Sequence, residues 1–151
     1  MLEPGSKAPA FTGTDQAGNK ISLKDFAGKK LILFFYPEDD TPTCTATACN
    51  LRDNWSELKK KGFAIVGVSA DDENSHARYA EKFSLNFPLL ADTSKKILNA
   101  YEAWGEKNLY GHKFIGIIRK TYIIDENGII LHIIKKVRAE SHTEQILNSI
   151  D

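Results

Sequence analysis

Two apolar runs, Leu31-Ile32-Leu33-Phe34-Phe35-Tyr36 and Phe63-Ala64-Ile65-Val66-Gly67-Val68-Ser69, bracket a segment in which Cys44, Ala48, Leu51, Trp55 and Leu58 recur at steps of four, three, four and three. Runs this apolar fit strands covered on both faces, and the alternating steps fit one amphipathic helix, which Gly62 would end. Strand, helix and strand in that order close as a right-handed parallel crossover. The chain is thereby committed to a sheet with at least one parallel pair and helices packed against it.

The remaining segments extend this pattern. Asp15-Gln16-Ala17-Gly18-Asn19 is a turn cluster between short apolar pieces and predicts a small N-terminal hairpin. Asp71 and Asp72 offer caps for a helix reaching about Phe83, Pro88-Leu89-Leu90 begins a short strand, and Lys95 to Tyr101 suits a short helix. Residues 119–125 and 129–137 flank Glu126-Asn127-Gly128, whose Asn-Gly pair signals a β-hairpin, and Thr143 to Ile150 reads as a closing helix. The expected architecture is α/β, a central mixed β-sheet flanked by helices; this is compatible with a thioredoxin-like fold, which pattern alone does not separate from other small α/β folds. No linker or repeat divides residues 1–151, so one domain is expected.

Charge narrows the partners. The 20 basic and 20 acidic residues cancel, so no global field gathers nucleic acid or anionic lipid. No apolar stretch approaches the ~18 residues of a membrane span, and Met1 to Pro9 lacks the apolar run of a signal peptide. A cytoplasmic protein is expected, with neither nucleic-acid nor membrane partners.

Two cysteines are too few for a secreted disulfide scaffold or a four-thiolate zinc site. His76, His112, His132 and His142 are scattered along the chain, and neither a metal nor another cofactor is expected. Cys44 follows the polar loop 36–43 and falls near the first turn of the predicted helix, where unpaired N–H groups and the helix dipole favour an anion such as a thiolate. Standing alone, it is better explained as a small buried apolar side chain. Cys49 lies five residues further on. In a regular helix the two Cα atoms are about 8.6 Å apart and about 140° apart in azimuth. A disulfide tolerates no more than about 7 Å, so bridging requires the first turn to unwind. Such a pair is a poor staple but a workable switch.

Arg119 interrupts a run of isoleucines, and strand alternation puts it on the face of Ile117, Thr121 and Ile123. Buried there it needs an anionic or hydrogen-bonding partner, whereas at a strand edge it is an ordinary surface charge. Thr41 and Pro37 are equally compatible with simple turn roles.

Taken together, Pro37-Glu38-Asp39-Asp40-Thr41-Pro42-Thr43-Cys44 resembles the peroxiredoxin signature Pro-x-x-x-Thr-x-x-Cys. The second cysteine five positions on is similar to the peroxiredoxin Q, or bacterioferritin comigratory protein, branch. Gly5-Ser6-Lys7-Ala8-Pro9-Ala10-Phe11 resembles the family's opening, Trp104-Gly105-Glu106-Lys107 its central insertion, and Arg119-Lys120-Thr121-Tyr122-Ile123-Ile124-Asp125 its arginine strand. The resemblance implies Cys44 as peroxidatic and Cys49 as resolving cysteine, joined in an intramolecular disulfide after turnover. It implies that Thr41 bonds the thiolate and the peroxide, that Arg119 stabilises the thiolate and orients the peroxide, and that Pro37 shields the pocket. A small hydroperoxide is then the substrate, thioredoxin or a similar dithiol the reductant, and a monomer suffices.

Thr43 stands where the family usually has Gly, and Thr47 where it commonly has Glu or Gln, so local unwinding is expected to be tuned differently. The rival readings are a general thiol-disulfide oxidoreductase, which usually needs Cys-x-x-Cys, and a non-catalytic redox sensor or holdase whose surface is exposed when the helix melts.

Overall fold

The computed structural model describes residues 1–150. Strands β1 (Thr12–Thr14) and β2 (Lys20–Ser22) form the N-terminal hairpin, with the Asp15 carboxylate accepting from the backbone N–H groups of Ala17 and Asn19 in its turn. The core sheet comprises β3 (Lys30–Phe35), β4 (Phe63–Ser69), β5 (Leu89–Ala91), β8 (Lys120–Ile124) and β9 (Ile130–Ile134), in spatial order β5-β4-β3-β8-β9. Strands β3, β4 and β5 run parallel, and β8 and β9 add antiparallel partners. This is the mixed sheet that the crossover and the Asn-Gly turn predict.

Period-two alternation divides the core between the two faces. Leu31, Leu33 and Phe35 of β3 pack with Phe11, Ile97, Leu98 and Tyr101 on one side. Ile32, Phe34 and Tyr36 pack with Cys44, Ala48, Leu51, Tyr79 and Ile146 on the other. Helices α1 (Pro42–Asp53), α2 (Trp55–Lys60), α3 (Glu73–Lys82) and α5 (His142–Ser149) contribute to this second face, and α4 (Lys96–Ala100) to the first. The cap at Asp72 forms as expected, its carboxylate accepting from Ser75 N at 2.8 Å. Asp71 is used elsewhere, as described below.

Three features depart from the sequence reading. The helix expected to run from Cys44 to Leu58 divides at Asn54, whose backbone leaves helical geometry (φ −105°, ψ 10°) while its side-chain amide donates to the Asn50 carbonyl at 2.8 Å. An asparagine side chain that bonds the backbone in this way competes with continuous helix. Second, a two-stranded sheet, β6 (Trp104–Leu109) with β7 (His112–Ile117), occupies a stretch in which no hairpin was expected. Its turn residues Tyr110 and Gly111 both have positive φ (53° and 82°), the requirement of a tight type I′ turn met by a pair without the usual Asn or Asp.

Third, Arg119 does not continue a strand from Ile117. The chain breaks between β7 and β8, so Ile117 packs on the first face while Ile123 packs on the second. The break resets the alternation and releases Arg119 toward α1.

Gly67 in β4 marks the tightest approach in the sheet. A Cβ there would lie 2.8 Å from Phe34 Cζ and 2.9 Å from Leu89 Cδ2, both in buried side chains. Gly67→Ala should lower unfolding free energy by about 1–3 kcal/mol through overpacking, visible as a lower urea midpoint with an unchanged denaturant slope.

Candidate active site

The sequence builds the site at the joint between β3 and α1. Thr41 is the extended N-cap residue (φ −97°, ψ 151°), and Pro42 takes the first helical position, where its missing N–H is not needed. Cys44 is therefore the third residue of α1, in the turn whose N–H groups lack intrahelical acceptors. Packing of α1 on the sheet leaves it only 1% exposed.

Arg119, freed by the strand break, donates from Nη2 to Cys44 Sγ at 3.3 Å. Among the described residues, its second terminal nitrogen, Nη1, is the only buried side-chain nitrogen or oxygen without a hydrogen-bond partner. A buried guanidinium is thus half-spent on sulfur and half-available beside it. Of the two sequence alternatives for Arg119, a surface charge at a strand edge is overturned. Its partner is the cysteine 75 positions earlier.

Thr41 and Pro37 lie on the connecting loop. The Thr41 hydroxyl donates to the Glu38 carbonyl at 3.0 Å and not to the Cys44 sulfur, leaving its lone pairs to accept. Pro37 is half-buried at the end of β3. Cys49 is half-buried on the same helix as Cys44, and both are free thiols. Thr47, buried, donates to the Thr43 carbonyl at 3.1 Å, and Thr43 is exposed.

Residues 4–133 match the AhpC/TSA family. Among curated proteins, the chain is 41% identical over 149 residues to a putative peroxiredoxin bcp of Coxiella burnetii, covering 99% of each. It is 40% identical over 147 residues to peroxiredoxin Bcp of Escherichia coli K12, covering 97% of this chain and 94% of that one. The solved structure of Xanthomonas campestris peroxiredoxin Q superposes with a TM-score of 0.86 at 31% identity, covering 93% of this chain and 89% of the other. The chain belongs to the AhpC/TSA family, in its peroxiredoxin Q (Bcp) branch.

In this peroxiredoxin, residues that sequence reasoning did not single out surround the thiol. Lys107 of the β6–β7 hairpin sits within electrostatic range of Arg119 and Cys44. Burial and Arg119 push its pKa down, against the opposing pull of Cys44. The Tyr79 hydroxyl donates to Thr45 Oγ1 at 3.3 Å, and burial raises its pKa.

Below the loop, Asp39 accepts from the Tyr36 hydroxyl at 2.6 Å and the Ser75 hydroxyl at 2.8 Å and faces His76 Nδ1 at 2.7 Å. Despite burial, these bonds and the His76 charge hold the Asp39 carboxyl below its ordinary range. Asp39, Asp71 and His76 cluster as metal ligands do, but the facing atoms already bond one another and nearby hydroxyls, and both ring nitrogens of His76 are engaged. A sequence signal for this group existed: His76, Tyr79, Ala80 and Phe83 follow the spacing of a buried helical stripe, which places an imidazole in the core.

His142, also fully buried, has its Nε2 2.9 Å from the Thr121 hydroxyl and its Nδ1 2.9 Å from Gln145 Oε1. The amide oxygen only accepts, so Nδ1 carries the proton and Nε2 accepts from Thr121. Burial, assisted by the Arg119 charge and opposed by the Gln145 bond, depresses its pKa. The unfolded chain therefore binds this proton more readily than the native one, and the mismatch opposes folding as pH falls through the unfolded value near 6.5. Nitrogen NMR of the reduced protein at neutral pH should show His142 as the neutral Nδ1–H tautomer, still neutral when an unfolded-state histidine is half protonated.

Proposed function

We propose that Cys44 is the thiol at which this thiol-dependent peroxidase reduces hydrogen peroxide or an organic hydroperoxide, with Cys49 closing an intramolecular disulfide afterwards. The observation that carries the assignment is the divided guanidinium of Arg119, with one nitrogen on the Cys44 sulfur and the other buried beside it without a partner. That second donor is suited to a peroxide oxygen developing negative charge as the O–O bond breaks. The Thr41 hydroxyl, its own proton committed to Glu38, accepts from the peroxide O–H. Pro37 covers the loop side and limits water.

The Cys44 thiolate attacks the outer peroxide oxygen. An S–O bond forms as the O–O bond breaks, sulfur is oxidised, and the leaving oxygen takes a proton to depart as water or alcohol. Thiolate Cys49 then attacks the Cys44 sulfenic acid, forming the S–S bond and releasing its oxygen as water. Both cysteines lie on α1, so this step requires local unwinding and no second chain, and a monomer is the functional unit. An external dithiol of the thioredoxin type returns the pair to thiols, a requirement met in the reducing cytoplasm. Among the described residues no helix is long and apolar enough to cross a membrane. The general oxidoreductase reading lacks its Cys-x-x-Cys, and a sensor has no use for the spare arginine donor.

Three experiments test the roles. Peroxide consumption coupled to a thioredoxin system should disappear in Cys44→Ser, and normal turnover in that variant overturns the assignment. Cys49→Ser should keep the first oxidation step, with mass spectrometry after one equivalent of peroxide showing sulfenic acid or overoxidised Cys44 and no internal disulfide. Arg119→Met should lower the Cys44 oxidation rate constant by about 10²–10³, the usual cost of one transition-state donor, as measured by stopped-flow fluorescence.

A further inference from the structure

His76 is wholly buried (0% exposed), and both of its ring nitrogens face acceptors. Nδ1 lies 2.7 Å from the Asp39 carboxylate and Nε2 2.9 Å from the Leu90 carbonyl. A carbonyl oxygen has no proton to offer, and the carboxylate already accepts from Tyr36 and Ser75, so both short contacts are satisfied together when both imidazole nitrogens donate. The Asp39 backbone N–H in turn donates to Asp71 at 2.9 Å, which also holds the Ser69 hydroxyl at 2.7 Å. One carboxylate thus ties the loop before α1 to the end of β3, to α3 and, through His76, to β5.

We propose that His76, as an imidazolium acting through Asp39, is a positioning residue for the peroxide reaction: it fixes the loop that sets Thr41 and the first turn of α1, and with them the Cys44 sulfur against Arg119. The linkage is short. Asp39 is flanked by Glu38, whose carbonyl holds the Thr41 hydroxyl, and Thr41 caps the helix whose third residue is Cys44. A neutral imidazole has one N–H, and its loss leaves a lone pair facing either Asp39 or Leu90 at hydrogen-bond distance in a dry site. The loop must then give way.

The titratable groups facing His76 are Asp39 from the loop, Asp71 from the turn before α3 and Tyr36 from the end of β3. Tyr36 stays neutral, its pKa pushed up by burial and Asp39, as does Tyr79 one turn further along α3. Burial works against the His76 charge. The Asp39 bond and charge, the Leu90 carbonyl and Asp71 outweigh it, and the net direction is above the ordinary histidine value. A raised folded-state value means that the anchor is intact below the ordinary value and is lost as pH rises through the raised one.

The inference rests on Cys44 being the reactive thiol, and its test separates the two. Single-turnover oxidation by hydrogen peroxide is followed across neutral to alkaline pH in the wild-type protein, His76→Gln and Asp39→Asn, alongside nitrogen NMR titration of the His76 ring in the reduced wild type. The wild-type rate should decline on the alkaline side with the midpoint at which the ring loses its proton. Both variants should react about 10- to 100-fold more slowly at neutral pH, without that decline. An unchanged alkaline decline in His76→Gln, or a wild-type ring carrying one proton at neutral pH, overturns the proposal. If the variants fail to fold, the ring titration alone decides it. Turnover that survives Cys44→Ser instead overturns the assignment of the thiol.

Discussion

The contact between the Arg119 guanidinium and the Cys44 sulfur joins the two halves of this molecule. It links α1, which lies between the parallel strands β3 and β4, to the start of the antiparallel strand β8. Neither half provides the site alone. The break between β7 and β8 frees the arginine, and the Thr41-Pro42 start of α1 presents the sulfur in its first turn. An arginine with one buried donor unpaired costs on the order of 1–3 kcal/mol. Its persistence fits a site whose missing partner is a substrate oxygen. The same burial and the Arg119 charge disfavour the protonated forms of the neighbouring bases. Burial and the Arg119 charge depress the His142 pKa against the Gln145 bond, and burial and Arg119 also lower that of Lys107.

That precision conflicts with the second half of the reaction. Cys44 and Cys49 share a helix that keeps their Cα atoms about 8.6 Å apart, so the proposed disulfide requires the turn that aligns the thiol to come undone. The fold limits how far the change spreads. Downstream, Asn50 is pinned by the Glu140 carbonyl at 2.9 Å and the Thr143 N–H at 2.8 Å, and Arg52 bonds the Phe83 carbonyl at 2.6 Å. Upstream, Asp39 is held by Tyr36, Ser75, His76 and Asp71. Between these anchors, apart from Lys82 on Asp40, Thr41 on Glu38 and Arg119 on Cys44, the side-chain bonds are a 3.3 Å bond from Tyr79 to Thr45 and the Thr47 hydroxyl folded back on Thr43. A hydroxyl bonded to the carbonyl four residues earlier competes slightly with the helix it sits in. The Thr47 departure from the family pattern therefore falls within the segment that must unwind.

The sheet and its helices were largely legible because period and punctuation agreed along most of the chain. The apolar runs at β3 and β4, the Asp72 cap and the Asn-Gly turn each signalled one local structure, and tertiary packing did not overrule them. The misses lie where a local signal was absent or ambiguous. Tyr110-Gly111 makes a turn usually advertised by Asn or Asp, and Asn54 stops a helix without proline or glycine. Arg119 was visible as a candidate, but its strand break was not, since Ile117, Ile118 and Thr121 all favour strand. Asp39 and His76 are 37 positions apart, and only the fold makes them neighbours. The Thr41 hydroxyl bond to Glu38 is likewise a property of the folded loop, and it leaves the threonine oxygen free to accept rather than donate.

Electroneutrality of the whole chain conceals two buried charge arrangements with different fates. Asp39 and His76 form a closed pair, with acceptors and donors satisfied on each side, and nothing in the peroxide reaction consumes either charge. In the proposed reaction, Arg119 and the Cys44 thiolate form an open pair, with a spare donor on the cation and an anion that is itself the reactant. When the thiolate becomes a sulfenic acid its negative charge leaves with the reduced oxygen. The charge-assisted part of its bond to Arg119 then goes, and charge-assisted bonds are roughly twice as strong as neutral ones. The attraction holding the first turn of α1 to the sheet therefore falls at the step after which that turn must unwind. Oxidation of the sulfur thus favours release of the helix while the closed pair at Asp39 keeps the loop before it in place.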